Sequence, residues 1–325
     1  MAFQELQGFP KPRNLDYLWA DYIEIMSMAD ADHEYSRSEL ISRMKRSSDL
    51  GSFDTIDHPV DRETSAEEND NLALLTEGWF RHLEYREGAF GDCYPFSVTN
   101  SGDTLICNVD LNDCGAVYIF LLLCSNLRYL PRSERADLTS QFEVLSTKAV
   151  SAILPEWANV HLFEHSKGSN HYTGGLPNRI ETLANDLNEQ TAANLDRFDT
   201  NNYGDDGLDI VAWVPIDSAS GIPILFGQCA CTLKWTDKQR SSSNQKWRER
   251  VTMKAPSTNM VLVPYCYRTT NGGWYKPSDI VDSIMFDRLR IIRNVDRAGL
   301  GVNDALGQAA RQIVNQAVQY TAPVF

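Results

Sequence analysis

The feature that most constrains the fold of this chain is a pair of adjoining segments. The first is Gly204-Asp205-Asp206-Gly207-Leu208-Asp209-Ile210-Val211-Ala212-Trp213, and the second is Pro223-Ile224-Leu225-Phe226-Gly227-Gln228-Cys229-Ala230. A turn rich in Gly and Asp enters a β-branched run, and a second apolar run carries one polar side chain. Both read as strands. Asp209 and Gln228 stand where a simple core takes Val or Ile, so burial obliges each to find a partner. A divalent cation held by oxygen ligands is one such partner. An arginine, a turn's main chain or a sheet-edge carbonyl are the others.

Around this pair the chain predicts two halves. Leu15, Leu18, Trp19, Tyr22, Ile23 and Met26 recur at helical spacing, and Ser36 opens a second helical run through Leu40, Ile41 and Met44. Residues 47–71 are polar and acidic and read as a long loop, and the helical pattern resumes over 72–86. Short strands are expected at 95–98 and 104–109 about a Ser101-Gly102-Asp103 turn, with helices over 118–130 and 138–153. The second half changes character. A strand is expected at 158–163, then a helix from Pro177 with the stripe Ile180, Leu183, Ala184 and Leu187. Strands follow over 209–214, 222–230 and 260–268; two further segments, 280–292 and 302–318, close the chain, the last of them helical. The expected architecture is α/β (α+β): a mainly helical N-terminal accessory or recognition domain over 1–155, then an α/β domain with a mixed central sheet flanked by helices over 156–325.

Charge and cysteine content narrow the function classes. A net charge of −14 argues against whole-protein attraction to nucleic acid, but the charge is uneven. Seven acidic residues and one Arg lie between Asp54 and Asp70. Lys234, Lys238, Arg240, Lys246, Arg248, Arg250 and Lys254 crowd into 232–254 against Asp237 and Glu249. A basic segment directly after the Gln228 strand suits a phosphate-rich substrate, or is a solvated loop. Trp235 and Trp247, interleaved with these cations, either stack on bases or belong to a core. The seven cysteines form no CxxC pair and leave one over in any disulfide scheme; Cys229 and Cys231, on the strand face opposite Gln228, read as small buried hydrophobes. The longest apolar run, Ala116–Cys124, is far shorter than a bilayer span, and the N-terminus has no signal-peptide pattern; a cytoplasmic protein with no membrane partner is expected. No GxxxxGK[ST], GxSxG or HExxH occurs. His161, His165 and His171 cluster at a strand end and loop, and Arg288 or Arg290 is placed to pair with an acid or a phosphate.

In chain order, a helix Glu181, a strand Asp209 and a second-strand Gln228 resemble the PD-(D/E)XK, or restriction-endonuclease-like, nuclease superfamily over about residues 177–268. There a helix glutamate precedes a strand aspartate, and the next strand carries Glu, Asp or Gln, one further residue, then Lys. The resemblance implies a restriction-endonuclease-like fold and a metal-dependent nuclease acting on DNA, with RNA as the other substrate. Asp209, Glu181 and Gln228 would hold Mg²⁺ (or Mn²⁺), because phosphodiester hydrolysis needs charge neutralised at phosphorus and at the leaving oxygen. Glu189 and Asp186 compete for the role of Glu181. Lysine is expected two residues after Gln228, where this chain has Ala230, so Lys238 or Lys234 would have to replace it. Along a straight strand Lys234 lies roughly 20 Å from Gln228, so replacement requires a bend after Cys231. Lys234, Lys238, Arg240, Lys246 and Arg248 are the expected nucleic-acid contacts. The resemblance extends to bacterial anti-phage defence and to a separate ATPase or helicase partner. The alternative, favoured by Ala230, is a catalytically degenerate nuclease fold that binds nucleic acid or protein within a defence complex. A third is a soluble interaction protein in which Asp209 and Gln228 are structural.

Overall fold

Helix α1 (Asp16–Ala29) is buried on every side from Tyr17 onward, which places it in the middle of the molecule rather than on its surface. In the computed structural model the described residues are 3–11, 14–51, 62–99, 101–163, 171–192, 204 and 206–322. Strand β1 (Glu34–Ser36) leads into α2 (Arg37–Gly51), and α3 (Arg62–Phe90) follows. Part of the expected loop over 47–71 is therefore helical at both ends, in keeping with its Glu and Ala content; residues 52–61 lie outside the described residues. Strands β2 (Phe96–Val98) and β3 (Thr104–Cys107) form the expected hairpin, with β1 added on the far side of β3 to give an antiparallel sheet of order β1-β3-β2. Helix α4 (Asp113–Ser125) starts where the Asn112 side chain accepts the Gly115 N–H at 2.7 Å, a side-chain cap for an otherwise orphaned donor. Helix α5 (Arg132–Ser151) follows.

The larger sheet begins with β4 (Asn159–Leu162), followed by α6 (Leu176–Asp186) and the short β5 (Gln190–Thr191). Strands β6 (Ile210–Trp213) and β7 (Ile224–Cys229) form a hairpin. After them come α7 (Trp235–Lys238), α8 (Asn244–Trp247), β8 (Val251–Thr252), β9 (Thr258–Leu262) and β10 (Ile284–Phe286). Helices α9 (Arg288–Arg297), α10 (Val302–Ala305) and α11 (Gln308–Val318) complete the fold; the expected helix over 302–318 is split at Leu306-Gly307. The order β10-β9-β7-β6-β4 is antiparallel from β4 to β7 and parallel from β7 to β10, a mixed sheet flanked by helices. The third expected strand ends at Leu262 rather than Arg268, because the chain turns there toward β10.

Alternation along the strands divides the apolar side chains between two faces. Ile210, Ala212, Cys229, Met260 and Leu262 join the main core with α1, α4, α5, α9 and α11. Val211, Trp213, Ile224 and Phe226 pack against α6, while Ala230, Val261 and Val263 pack with Tyr17, Trp235 and Tyr265. The main core runs from Phe3 to Val318, so the segments on either side of residue 155 share it. Cys93 and Cys114, left unassigned by the sequence, are joined by a disulfide; Cys107, Cys124, Cys229, Cys231 and Cys266 are free. Among the described residues no helix is long and apolar enough to cross a membrane.

Candidate functional site

The hairpin register pairs Ile210 with Gly227, which sets Asp209 beside Gln228 at the mouth of the β6–β7 ladder. Asp209 keeps its main chain in the sheet: its N–H donates to Gly227 and its carbonyl accepts from Phe163, both at 2.9 Å. Its side chain is buried with that of Gln228. One carboxylate oxygen, Oδ2, accepts both the Gln228 Nε2 amide and the Cys229 main-chain N–H at 2.5 Å. The second amide hydrogen of Gln228 serves the Cys229 carbonyl at 3.1 Å. The buried charge is thus met by the Gln228 side-chain amide, a partner the sequence reading did not name, and by a main-chain donor.

A close turn lies over this pair. Asp206 and Gly207 both have left-handed backbone, φ 51° and 73°. A Cβ on Gly207 would lie 2.4 Å from the Ser241 Cβ and 3.1 Å from Gln228 Oε1, so only glycine permits the approach. Asp206 anchors the turn by pairing with Lys246 Nζ at 3.0 Å and Arg250 Nε at 2.6 Å. Asp205 lies outside the described residues.

The remaining predicted ligands do not converge on the pair. Ile180 fills the core, but Glu181, about 100° round the helix from it, faces solvent and makes no ion pair or hydrogen bond with Asp209 or Gln228. The α6 residue that reaches toward the sheet is Arg179, fully buried, donating to the carbonyls of Phe163 at 2.6 Å and Gly204 at 2.5 Å. The competing acids are engaged elsewhere: Asp186 accepts from His171 and Tyr172, and Glu189 from the Lys254 main chain. Ala230 is buried in the third cluster. The bend after Cys231 is present as a turn and α7, yet Lys234 and Lys238 are exposed and neither contacts Asp209 or Gln228. Among the described residues one carboxylate, Asp209, stands at this point, and its Oδ2 is engaged by Gln228 and the Cys229 N–H. The only group of metal-ligating side chains close enough to share an ion among the described residues is Cys93, Cys114 and Asp296, and there the two sulfurs are bonded to each other.

The basic segment sorts into two kinds of residue. Lys234, Lys238, Arg240, Arg248 and Lys254 are exposed, whereas Lys246 is half-buried against Asp206 and Arg250 is buried there. Trp235 and Trp247 are core residues, 2% and 0% exposed, so neither is available to stack on a base. Both tryptophans fasten the 235–247 segment onto the sheet face that carries Gln228, and the Ser242 hydroxyl adds a 2.7 Å bond to Asn259 on β9. Beside this segment runs an open cleft of about 970 Å³ lined by Arg240, Ser243, Asn244, Lys246 and Asn259 among others. His161 stacks on His171 at 4.3 Å and on Trp213 at 5.3 Å; burial, with His171 beside it, lowers the His161 pKa. His165 lies outside the described residues.

Among the described residues a further cluster of buried charge includes Arg288, which pairs with an acid as the sequence allowed; its other members were not foreseen. Asp21 and Glu24 on α1 meet Arg86 on α3 at 2.7 and 2.8 Å, and Arg288 on α9 reaches Asp21 at 2.9 Å; all four side chains are fully buried. Burial works against the Asp21 carboxylate, but Arg288 and Arg86 hold its pKa below the usual value. Tyr94 and Tyr118 each donate to Glu24 at 2.8 Å. His82 receives the Arg86 Nε–H on Nδ1 at 3.2 Å and meets the Arg268 carbonyl with Nε2 at 2.9 Å, which fixes it as the neutral Nε2–H tautomer. Besides Arg288, the available signal was two acids inside a helix otherwise made of core residues.

Comparison with protein-family models, with curated proteins and with solved structures found no match.

Proposed function

We propose that this chain is a nucleic-acid-binding protein in which the Asp209–Gln228 pair holds the sheet and its covering turn together. The observation that carries this reading is the basic segment over 232–254: Lys234, Lys238, Arg240, Arg248 and Lys254 stand exposed on it, beside a polar cleft, in a chain of net charge −14. Cations concentrated on one segment of an acidic protein give a local phosphate-binding surface, and repulsion elsewhere limits nonspecific adhesion. Lys246 and Arg250 belong to the scaffold under that surface, since both are spent on Asp206.

The test is binding of labelled duplex DNA, and of single-stranded RNA, by the full chain across a salt series. Five phosphate contacts predict log K falling against log salt with a slope of roughly −4.5 on duplex. Lys238→Gln with Arg240→Gln should lower the slope by about 2. A slope near zero, or one the variants leave unchanged, refutes the reading.

Metal-dependent phosphodiester hydrolysis is the second reading, supported by the adjacency of Asp209 and Gln228 that a nuclease of the resembled kind requires. It is tested in the same preparations by adding Mg²⁺ or Mn²⁺ to plasmid DNA. Cutting by wild type that Asp209→Asn abolishes would establish it and displace the purely binding role.

A further inference from the structure

At the parallel edge of the sheet the chain leaves β9, turns through residues 263–283, returns as β10 and enters α9. Asp287 caps α9 by accepting the Arg290 N–H at 3.1 Å, and also takes Arg268 in a two-point contact at 2.7 and 3.1 Å. Arg268 and Arg290 both lie over the Trp274 ring, 3.7 and 4.8 Å from its centroid. Arg293, one turn further along α9, is exposed on the same side.

Among the described residues, no carboxylate lies within ion-pair distance of Arg290 or Arg293; the hydrogen bonds they donate go to carbonyls, Met285 at 2.8 Å and Ala89 at 3.2 Å. They nevertheless line one open pocket of about 620 Å³ with Arg268, Tyr85 and Glu84. Glu84, the lining acid, has its Oε1 turned against the Gly102 turn, 2.9 Å from where a Cβ would stand. Burial, then the nearby Arg268 charge, pushes the Arg290 pKa down, with Asp287 opposing. The opening turns of a helix are also where its dipole disfavours cations. The fold gathers three guanidinium groups at a place that penalises them, and supplies a carboxylate to one.

We propose that this pocket binds a phosphate-bearing ligand of nucleotide size, with Arg290 and Arg293 holding the phosphoryl oxygens and Arg268 adding charge from behind. Guanidinium forks match phosphoryl oxygens in pairs, and several converging forks suit a polyphosphate better than a single carboxylate. The pocket volume lies in the range of small-molecule sites and exceeds what inorganic phosphate fills. Tyr85 supplies an aromatic wall beside the Gly272 turn, its ring 3.6 Å from where a Cβ on Gly272 would stand.

The test is calorimetric titration of the full chain with ATP, AMP, inorganic phosphate and adenosine. ATP should bind most tightly and adenosine not at all. The double variant Arg290→Gln/Arg293→Gln should weaken ATP by at least about tenfold, while Arg132→Gln/Arg297→Gln, which removes two exposed arginines outside both surfaces, should leave it unchanged. Arg290 and Arg293 are exposed, so the fold should survive, and Arg290→Lys, which keeps charge but loses the fork, should give a smaller loss. Competition by a 5′-phosphorylated oligonucleotide, but not its unphosphorylated form, would assign the phosphate to a nucleic-acid end; failure of both to compete would assign it to a free nucleotide. No binding of any phosphate at millimolar concentration overturns the proposal. Equal binding of adenosine, or equal loss in the two double variants, does so too.

Discussion

His82 should make this protein acid-sensitive in a pH range where its carboxylates are still ionised. The ring is 1% exposed, with one nitrogen occupied by Arg86 and the other against the Arg268 carbonyl. Protonation would put a donor against a guanidinium. Burial first, and Arg86 second, push its pKa down to about 3 from 6.5. The sign follows directly: the unfolded chain takes up a proton below pH 6.5 and the folded chain does not until near pH 3, so stability present above 6.5 is lost as pH falls between those values. Each pH unit well inside that window removes about 1.36 kcal/mol, and about 2 kcal/mol is gone between pH 8 and pH 5. The assay is urea unfolding at pH 8, 7, 6 and 5 for wild type and His82→Gln, whose amide can still donate to the Arg268 carbonyl. The variant is expected to start less stable, but its stability should fall by about 2 kcal/mol less over the series. Other titrating groups are common to both proteins and cancel in that difference. Parallel curves would refute the neutral, doubly bonded His82.

Two substitutions probe the rest of the framework by the same unfolding measurement. Gly207→Ala combines a left-handed backbone with a clash against Ser241 and should cost about 2–4 kcal/mol; a cost below half a unit would mean that the turn does not sit over Gln228. Arg288→Met strands Asp21 and Glu24 without one of their two guanidiniums and should destabilise by about 3–5 kcal/mol at neutral pH. The deficit should narrow on acidification, as the stranded Asp21 carboxylate, deprived of the Arg288 charge that lowers its pKa, protonates; a pH-independent deficit would argue against the pairing.

What could be read from sequence was what neighbouring residues decide among themselves. The β6–β7 hairpin, the helix begun by Pro177 and the β2–β3 hairpin are signalled by local period and turn chemistry. The hairpin's register alone brings Asp209 next to Gln228. The direction each group points was not legible, because that depends on segments arriving from elsewhere. Helical spacing put Glu181 at the rim of the α6 stripe, but the rim turned to the sheet is the one bearing Arg179, drawn in by the carbonyls of Phe163 and Gly204. Trp235 and Trp247 could be read as stacking platforms or as core residues, and burial decides for the core, where they secure the segment that presents the cations.

The buried charges show the same limit more sharply. Asp21 and Arg288 lie 267 positions apart, and no period relates them. Their connection has a consequence for the rest of the molecule. From Asp21 and Glu24 the contacts run through Arg86 to His82, from His82 to the Arg268 main chain, and from the Arg268 side chain to Asp287 at the cap of α9. Each link is a hydrogen bond between groups that are buried or nearly so, in surroundings where such bonds are strong and their loss is costly. The same chain of contacts that joins α1, α3 and α9 therefore fixes the back wall of the arginine pocket. Arg290 and Arg293, mounted on that wall, donate to carbonyls and, among the described residues, pair with no carboxylate. A fold needing only stability would not keep two such cations beside Arg268, and the rigidity behind them is what a preorganised anion site requires.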